Sequence, residues 1–132
     1  MTKVADSKLF LDSSAWLGYF LGNMPSAKKI VDTSESILFT SIISIHEIFK
    51  RLKTLGKTEK ETEKAIKFIE DNSIIVNLSK EIAISAVGYC SKYGLHTIDS
   101  LIYSSAIAME TTFITADSDF KKVPKAKIIE MK

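Results

Sequence analysis

The stretch KLFLDSSAWLGYFLG, residues 8–22, decides the fold class of this protein, because it joins a strand directly to a helix. Its first four residues form a short apolar run without helical spacing, which indicates a buried strand. Asp12 and the two serines after it favour the start of a helix, and the apolar side chains that follow predict a helix ending at Gly22. A strand that leads straight into a helix is typical of α/β proteins.

The same alternation of strands and helices continues along the chain. Further strands are predicted at Ser36–Thr40, Ile74–Val76, Thr112–Thr115 and Lys127–Ile129. Helices are predicted to begin at Pro25, to run from Ile45 to Gly56, from Thr58 to about Asp71 and from Ser79 to Gly94, and to begin again at Thr97. Thr58 and Glu61 form a predicted capping box, and Thr97 is the predicted cap of its helix. Strands that are apolar on both faces indicate a parallel sheet with helices on each side. We therefore predict an α/β fold with three α/β/α layers around a central parallel sheet of four to five strands, in one domain spanning residues 1–132.

The composition is that of a globular protein. Of the 132 residues, 45% are apolar and 26% are charged, which excludes disordered and collagen-like chains. The longest apolar runs, such as residues 37–45, are shorter than the roughly 20 residues of a membrane span, and the N-terminus does not have the pattern of a secretion signal. We therefore expect a cytoplasmic protein without a membrane segment. Cys90 is the only cysteine, which excludes an internal disulfide and a thiolate metal cluster.

Two aspartates directly follow predicted strands, Asp12 after the first and Asp117 after the fourth. In an open parallel sheet the functional crevice lies outside the carboxyl ends of the strands, so these carboxylates meet there if the two strands are neighbours. The alternative is a purely local role for each residue, in which Asp12 caps the next helix and Asp117 belongs to a turn.

Two further acids lie on predicted helices. Asp99 is in the first turn of its helix, where the helix dipole alone favours a carboxylate by about 0.3 to 1 kcal/mol. Glu47 is about 200° around its helix from Ile45 in the apolar stripe, and an ion pair with Arg51 four residues later would explain a solvated glutamate there. The alternative is that Ile43 and Glu47 line a cleft shared with the other acids.

Carboxylates that converge on one site need a compensating charge. At a spacing of about 4 Å they repel one another by several kcal/mol, and a divalent cation removes that repulsion. Oxygen ligands without cysteine or suitably spaced histidines favour Mg²⁺ or Mn²⁺ over zinc. Such a site suits phosphodiester hydrolysis, because a bound metal activates water and stabilises charge on the reacting oxygens.

Basic residues flank the proposed acidic site and are of the type that binds phosphate backbones. They are Lys50, Arg51 and Lys53 after Glu47, and Lys121, Lys122, Lys125 and Lys127 after Asp119. We expect Lys50, Arg51, Lys121 and Lys122 to bind the phosphate backbone of a nucleic acid. The alternative for each of them is an ordinary solvated surface.

Four short motifs contain the acidic residues. They are LFLDSSAWL at residues 9–17, SIISIHEIFK at 41–50, IDSLIYSSAI at 98–107 and FITADSDF at 113–120. Asp12, Glu47 and Asp99 are the acids of the first three motifs, and the fourth contains Thr115, Asp117 and Asp119. Together and in this order, over nearly the whole chain, the motifs resemble those of the PIN-domain family of nucleases, and most closely of its VapC-type toxins.

The resemblance implies a PIN-like fold, an endoribonuclease activity that depends on Mg²⁺ or Mn²⁺, a homodimer, and a VapB-type antitoxin that covers the site. It implies that the catalytic acids are Asp12, Glu47, Asp99 and Asp117, and that the metal ligands are Asp12, Asp99, Asp117 and Asp119. Ser13 and Thr115 are the matching residues that orient these ligands. Ser14 stands where many members of the family carry asparagine, which bears on the affinity or geometry of the metal site.

Three other functions remain open from the residues. The first is a PIN-domain nuclease of RNA processing without an antitoxin, and the second is a non-catalytic domain that binds RNA or a protein partner. The third is a phosphohydrolase that uses Asp12 as a covalent nucleophile, similar to haloacid-dehalogenase-like enzymes. That family has a second aspartate two places after the first, where this chain has Ser14.

Overall fold

The computed structural model describes residues 7–33 and 35–130, and these form five strands, six α-helices and a short 3-10 turn. The strands are β1 (Lys8–Leu11), β2 (Ile37–Ser41), β3 (Ile74–Val76), β4 (Thr112–Thr115) and β5 (Ala126–Ile128). The helices are α1 (Ser13–Leu21), α2 (Pro25–Thr33), α3 (Ile42–Thr54), α4 (Glu59–Asn72), α5 (Lys80–Tyr93) and α6 (Thr97–Ala108), and the 3-10 turn is Ser118–Phe120. The ends of the predicted domain, residues 1–6 and 131–132, and residue 34 lie outside the described residues.

All five strands form one parallel sheet in the order β3-β2-β1-β4-β5, which confirms the predicted fold class. The chain builds outward from β1 through β2 to β3 and then crosses to the other side of β1 to form β4. In the resulting register, Phe10 of β1 lies between Phe39 of β2 and Phe113 of β4. The strand order therefore reverses between β1 and β4, and the carboxyl ends of these two strands are where open α/β sheets form their crevice.

Alternate residues of the central strands face two separate cores, because successive side chains of a strand point to opposite faces. One core contains residues of α1 to α4, and the strands contribute Leu11, Leu38 and Ile114 to it. The other contains residues of α5 and α6, and the strands contribute Phe10, Phe39, Val76 and Phe113. The sheet is thus the middle layer of three, with four helices on one face and two on the other.

The ends of most helices follow the predicted signals. At α4 the predicted capping box is present, since the Thr58 hydroxyl accepts a bond from Glu61 N and the Glu61 carboxylate accepts one from Thr58 N. The prediction that Thr97 caps α6 is wrong, because Thr97 is the first helical residue and His96 occupies the cap position without a side-chain hydrogen bond. Helix α3 begins three residues before the predicted Ile45, because Ser41 caps it through Ile43 N.

Two strands lie one residue from their predicted bounds, with β2 shifted toward the C-terminus and β5 toward the N-terminus.

The longest helices that the structure describes, α4 and α5, have 14 residues each, and none of the described helices has the length and apolarity needed to cross a lipid bilayer.

Candidate metal centre

Asp12 links β1 to α1 and is buried, with only 7% of its surface exposed. Its carboxylate accepts hydrogen bonds from Ser13 N at 2.8 Å, from Ser14 Oγ at 3.2 Å and from Thr115 Oγ1 at 2.8 Å. Burial raises the pKa of Asp12 to about 6; the bonds from Thr115 and Ser13 oppose this rise, and the negative charge of Glu47 adds to it. Asp12 is also the N-cap of α1, so the local role that the sequence allows coexists with a place at the sheet edge.

Ser14 connects the end of β1 to the segment that follows β4. Its hydroxyl donates to Asp12, accepts a bond from Ala116 N at 2.9 Å and lies 3.3 Å from Thr115 Oγ1. Thr115 Oγ1 also accepts a bond from Asp117 N at 3.0 Å. The Thr115 hydroxyl therefore links the Asp12 carboxylate to the backbone N–H of Asp117. The Ser14 hydroxyl links the same carboxylate to the backbone N–H of Ala116. The sequence indicated Ser14 only as a departure from the family pattern, and the structure shows that its hydroxyl binds the Asp12 carboxylate directly.

Asp99, Asp117 and Asp119 form a cluster in which one carboxylate oxygen from each residue lies within 4.8 Å of the others. Asp99 comes from the first turn of α6, Asp117 is the residue that caps the 3-10 turn after β4, and Asp119 lies in that turn. Partial burial raises the pKa of Asp99, the negative charges of Asp117, Glu47 and Asp119 raise it further, and His96 opposes them. The cluster is thus a place where like charges have been brought together, and we call it the acid cluster.

Glu47 faces this site from α3, since its charge raises the pKa of both Asp12 and Asp99. Across the part of the chain that the structure describes, Glu47 does not form an ion pair with Arg51, so the predicted pair is wrong. The reason is that Glu47 is half-buried beside the other acids instead of lying in solvent. Ile43 and Glu47 do line one groove, although none of the other acids is among the residues that line it.

The predicted basic residues fall into two groups. Lys50 and Arg51 line the same groove as Glu47, and both are exposed. Lys121 and Lys122 are exposed residues that directly follow the 3-10 turn, and Lys122 Nζ lies 3.6 Å from the point where a Cβ on Gly94 would stand. Both groups therefore lie on elements that adjoin the acids.

Two large aromatic side chains of the helices, Trp16 of α1 and Tyr103 of α6, are core residues and are not available to stack on nucleobases. Trp16 and Tyr103 are almost fully buried in the two cores, with hydrogen bonds to Thr40 and Pro124 respectively. Buried tyrosine and tryptophan usually find a hydrogen-bond partner for their polar atom, as these two do.

The donor set of the acid cluster suits a hard divalent cation. Three carboxylates from two elements offer only oxygen atoms and are close enough to share one ion. Burial raises the pKa of Asp99, and repulsion by Asp117 and Asp119 adds to that rise. The acid cluster contains three of the four predicted metal ligands. The fourth, Asp12, is not a member of the cluster and is connected to Asp117 through the Thr115 hydroxyl. Ser13 contributes its backbone N–H to Asp12.

The chain matches one family model and resembles several solved structures. A family model described as "PIN domain" matches residues 9–126. No curated protein matches the chain by sequence.

Among solved structures, the chain resembles a toxin-antitoxin complex from Klebsiella pneumoniae with a TM-score of 0.77 and 24% identity, over 95% of this chain and 100% of that chain. It resembles VapBC2 from Rickettsia felis, bound to a DNA fragment from its promoter, with a TM-score of 0.70 and 16% identity, over 95% and 99% of the two chains. It also resembles Mycobacterium tuberculosis VapC20, a toxin that cleaves the sarcin-ricin loop, with a TM-score of 0.71 and 13% identity, over 88% and 95%. At these identities the likeness establishes a shared fold.

Proposed function

The chain belongs to the PIN domain family, and from that premise we propose that it is a metal-dependent endoribonuclease that hydrolyses RNA phosphodiester bonds. The observation that carries the proposal is the acid cluster beside Asp12, at the point where the strand order reverses. Carboxylates gathered at such a point are costly to the fold, and binding a cation is the chemistry that offsets the cost.

We assign the metal to Asp12, Asp99, Asp117 and Asp119, and the ion to Mg²⁺ or Mn²⁺. A divalent cation held there supplies charge stabilisation for the reacting oxygens and lowers the pKa of a bound water. Asp12, Glu47, Asp99 and Asp117 are the catalytic acids of the proposal, with Asp12 ionised near neutral pH because its pKa is about 6. Ser14 and Thr115 fix the orientation of the Asp12 carboxylate through their hydroxyls.

RNA is the proposed substrate because cationic side chains adjoin the acids on two sides. Lys50 and Arg51 line the groove that contains Glu47, while Lys121 and Lys122 follow the turn that contains Asp119. Exposed lysines and arginines bind phosphates without regard to base sequence, which suits the positioning of a polynucleotide across the acid cluster.

We further propose that the protein is a VapC-type toxin that functions as a homodimer and is inhibited by a cognate VapB-type antitoxin. Support comes from the solved structures of the same fold, several of which are described as toxin-antitoxin or VapBC complexes. Co-expression with the product of a small neighbouring gene tests this assignment. Suppression of toxicity and co-purification are expected for an antitoxin, whereas an RNA-processing nuclease would show neither.

The test of the nuclease assignment is the substitution Asp99→Asn, which removes one charge of the acid cluster and preserves its shape. We expect Mn²⁺- or Mg²⁺-dependent cleavage of RNA to fall by about 100-fold or more, because charge stabilisation at the reacting oxygens is lost. The matched control is Asp71→Asn, since Asp71 is an exposed aspartate on α4 whose only ion pair within the described residues is with Lys67. Unchanged cleavage by Asp99→Asn, with circular dichroism like that of the wild type, would refute the site.

A further inference from the structure

Strand β5 forms one edge of the sheet, and its outward backbone groups have no strand to pair with. Its neighbour is β4, to which Lys125 O and Ile129 N both bond at 2.8 Å. In a parallel pair, alternate residues bond to the neighbouring strand, so the N–H and C=O groups of Ala126 and Ile128 point away from β4. Within residues 7–33 and 35–130, these groups make no backbone hydrogen bond to a further element. The edge is therefore open to an added strand.

A groove lies beside this edge, between β5 and α2. It has a volume of about 640 Å³ and is lined by residues of α2 and by residues 127–130. Lys127 faces α2, because its register partner on β4 is Ile114, which packs in the core on that side of the sheet. A strand added about 4.8 Å from β5 would place every second side chain in the groove. We call the outward edge of Ala126 and Ile128, together with this groove, the β5 edge site.

The charges of the β5 edge site favour an acidic side chain. Lys127 of β5 and Lys29 of α2 both line the groove, and both are exposed. Among the residues that the structure describes, neither lysine forms an ion pair. The acid among the lining residues is Glu130, which lies beyond the end of the strand. An acidic side chain opposite Lys127 would form a cross-strand pair of opposite charges, which stabilises strand pairing.

The opposite face of β5 favours apolar side chains. Ala126 and Ile128 are half-buried there against the core that contains α5 and α6, so part of their apolar surface is still in contact with water. Apolar residues on either side of an acidic one would cover that surface. The edge thus matches a segment in which apolar and polar residues alternate.

A second copy of β5 matches this edge poorly. Antiparallel pairing of two copies about an axis at Lys127 would place the two Lys127 side chains opposite each other. An axis at Ala126 would place Lys127 opposite Lys125 of the other copy, and like charges directly opposite destabilise a sheet. An axis at Ile128 would pair Ala126 with residue 130, which lies outside the strand. The lysine that repels a second copy therefore attracts an acidic partner.

We infer that the β5 edge site binds an extended, acidic segment of another protein as an added strand. In this arrangement an aspartate or glutamate of the partner opposes Lys127 in the groove that Lys29 also lines, and apolar residues oppose Ala126 and Ile128. The inference does not depend on the proposed nuclease activity, because none of the proposed catalytic acids lines the groove.

The test uses two fluorescein-labelled peptides of seven residues and the whole protein. Each peptide alternates valine with threonine, and the central residue is glutamate in one and lysine in the other. Binding is measured by fluorescence anisotropy. We expect the glutamate peptide to bind about 3- to 10-fold more tightly than the lysine peptide, because its central residue pairs with Lys127 instead of being repelled by it.

Two N-methylated versions of the glutamate peptide test whether it binds as a strand. Methylation of every second residue removes the N–H groups along one edge of an extended peptide, and methylation of the other residues removes those along the opposite edge. A peptide paired with β5 uses one of these edges only. We therefore expect one version to bind about 10-fold or more weakly and the other to bind like the unmethylated peptide.

The variant Lys127→Glu tests the position of the site. It should reverse the preference, so that the lysine peptide binds more tightly than the glutamate peptide. The matched control is Lys60→Glu, since Lys60 is an exposed residue of α4 outside the groove and the change in net charge is the same. Lys60→Glu should retain the preference of the wild type.

Four results would overturn the inference. The first three are a wild-type protein that does not bind the glutamate peptide, equal binding of the two N-methylated peptides, and an unchanged preference in Lys127→Glu. The fourth concerns the second copy: if sedimentation shows that Lys127→Glu alters the oligomeric state, the edge is an interface between copies of this chain and not a site for another protein.

Discussion

At the scale of single residues, Asp12 shows how the site costs stability. Its carboxylate is buried, and the three hydrogen bonds from Ser13, Ser14 and Thr115 do not fully replace the water that it loses. The pKa rises from 3.8 to about 6 as a result. A folded-state pKa above the unfolded value means that the folded protein binds this proton more tightly than the unfolded chain does. The contribution of Asp12 to stability is therefore most favourable below pH 3.8 and is lost as the pH rises to about 6.

We predict that Asp12→Asn stabilises the metal-free protein at pH 8 relative to the wild type, by on the order of 2 kcal/mol more than at pH 4. The amide keeps the shape of the carboxylate and carries no charge to desolvate, while the neighbouring hydroxyls can rotate to suit it. Urea unfolding of both proteins at a series of pH values measures the difference. Asp71→Asn serves as the control with no such pH dependence, because Asp71 is exposed on α4. A difference that is flat between pH 4 and pH 8 would contradict the prediction.

At the scale of elements, two helical glycines show where packing is tight and where it is open. A Cβ on Gly18 in α1 would lie 2.8 Å from Cβ and Sδ of Met24, the residue before α2, so α1 and the start of α2 approach closely only because Gly18 lacks a side chain. A Cβ on Gly88 in α5 would meet nothing within 4 Å. The same substitution should therefore have opposite effects on the two helices.

We predict that Gly18→Ala destabilises the protein by about 1 to 3 kcal/mol, because the extra methyl group overpacks a filled contact. We predict that Gly88→Ala stabilises it by about 0.5 to 1 kcal/mol, because alanine restricts the unfolded chain and favours the helix. Midpoints of urea unfolding at unchanged slope measure both effects. Shifts of the same sign in the two variants would show that the contact with Met24 does not decide the outcome.

At the scale of the whole molecule, the strand order brings together residues that are far apart in the chain. Because β4 pairs with β1, the segment after residue 115 lies beside the turn that contains Asp12, and α6 adds Asp99 to the same edge. Any cation bound there joins α6 to the segment after β4 and so stabilises the folded arrangement against the unfolded chain.

We predict that Mn²⁺ raises the melting temperature of the wild type, with a gain of about 2.7 kcal/mol in the free energy of unfolding at 100 times the dissociation constant. Differential scanning calorimetry at constant ionic strength measures the shift. The double variant with Asp99→Asn and Asp117→Asn should lose it, because only one carboxylate of the acid cluster remains, and Asp71→Asn should retain it. A wild-type melting temperature that is indifferent to Mn²⁺ would contradict the metal assignment.

The sequence by itself determined the fold class, all five strands to within one residue and the capping box at Thr58, because periodicity and capping act over a few neighbouring residues. It also placed Asp12 and Asp117 directly after strands that proved to be neighbours. The cap at Thr97 was mispredicted, since Thr97 fits the local capping pattern, whereas the cap position is occupied by His96 without a side-chain hydrogen bond.

Only the tertiary structure decided which of these acids share a site, how far apart they lie and how deeply each is buried. The order of the strands brought Asp99 within 4.8 Å of Asp117 and Asp119, turned Glu47 toward them instead of toward Arg51, and buried Asp12 behind Ser14 and Thr115. It also formed the groove between α3 and α6. These are distances between residues up to about a hundred positions apart, and they follow from strand register and from the packing of helices on the sheet, which no short stretch of sequence specifies.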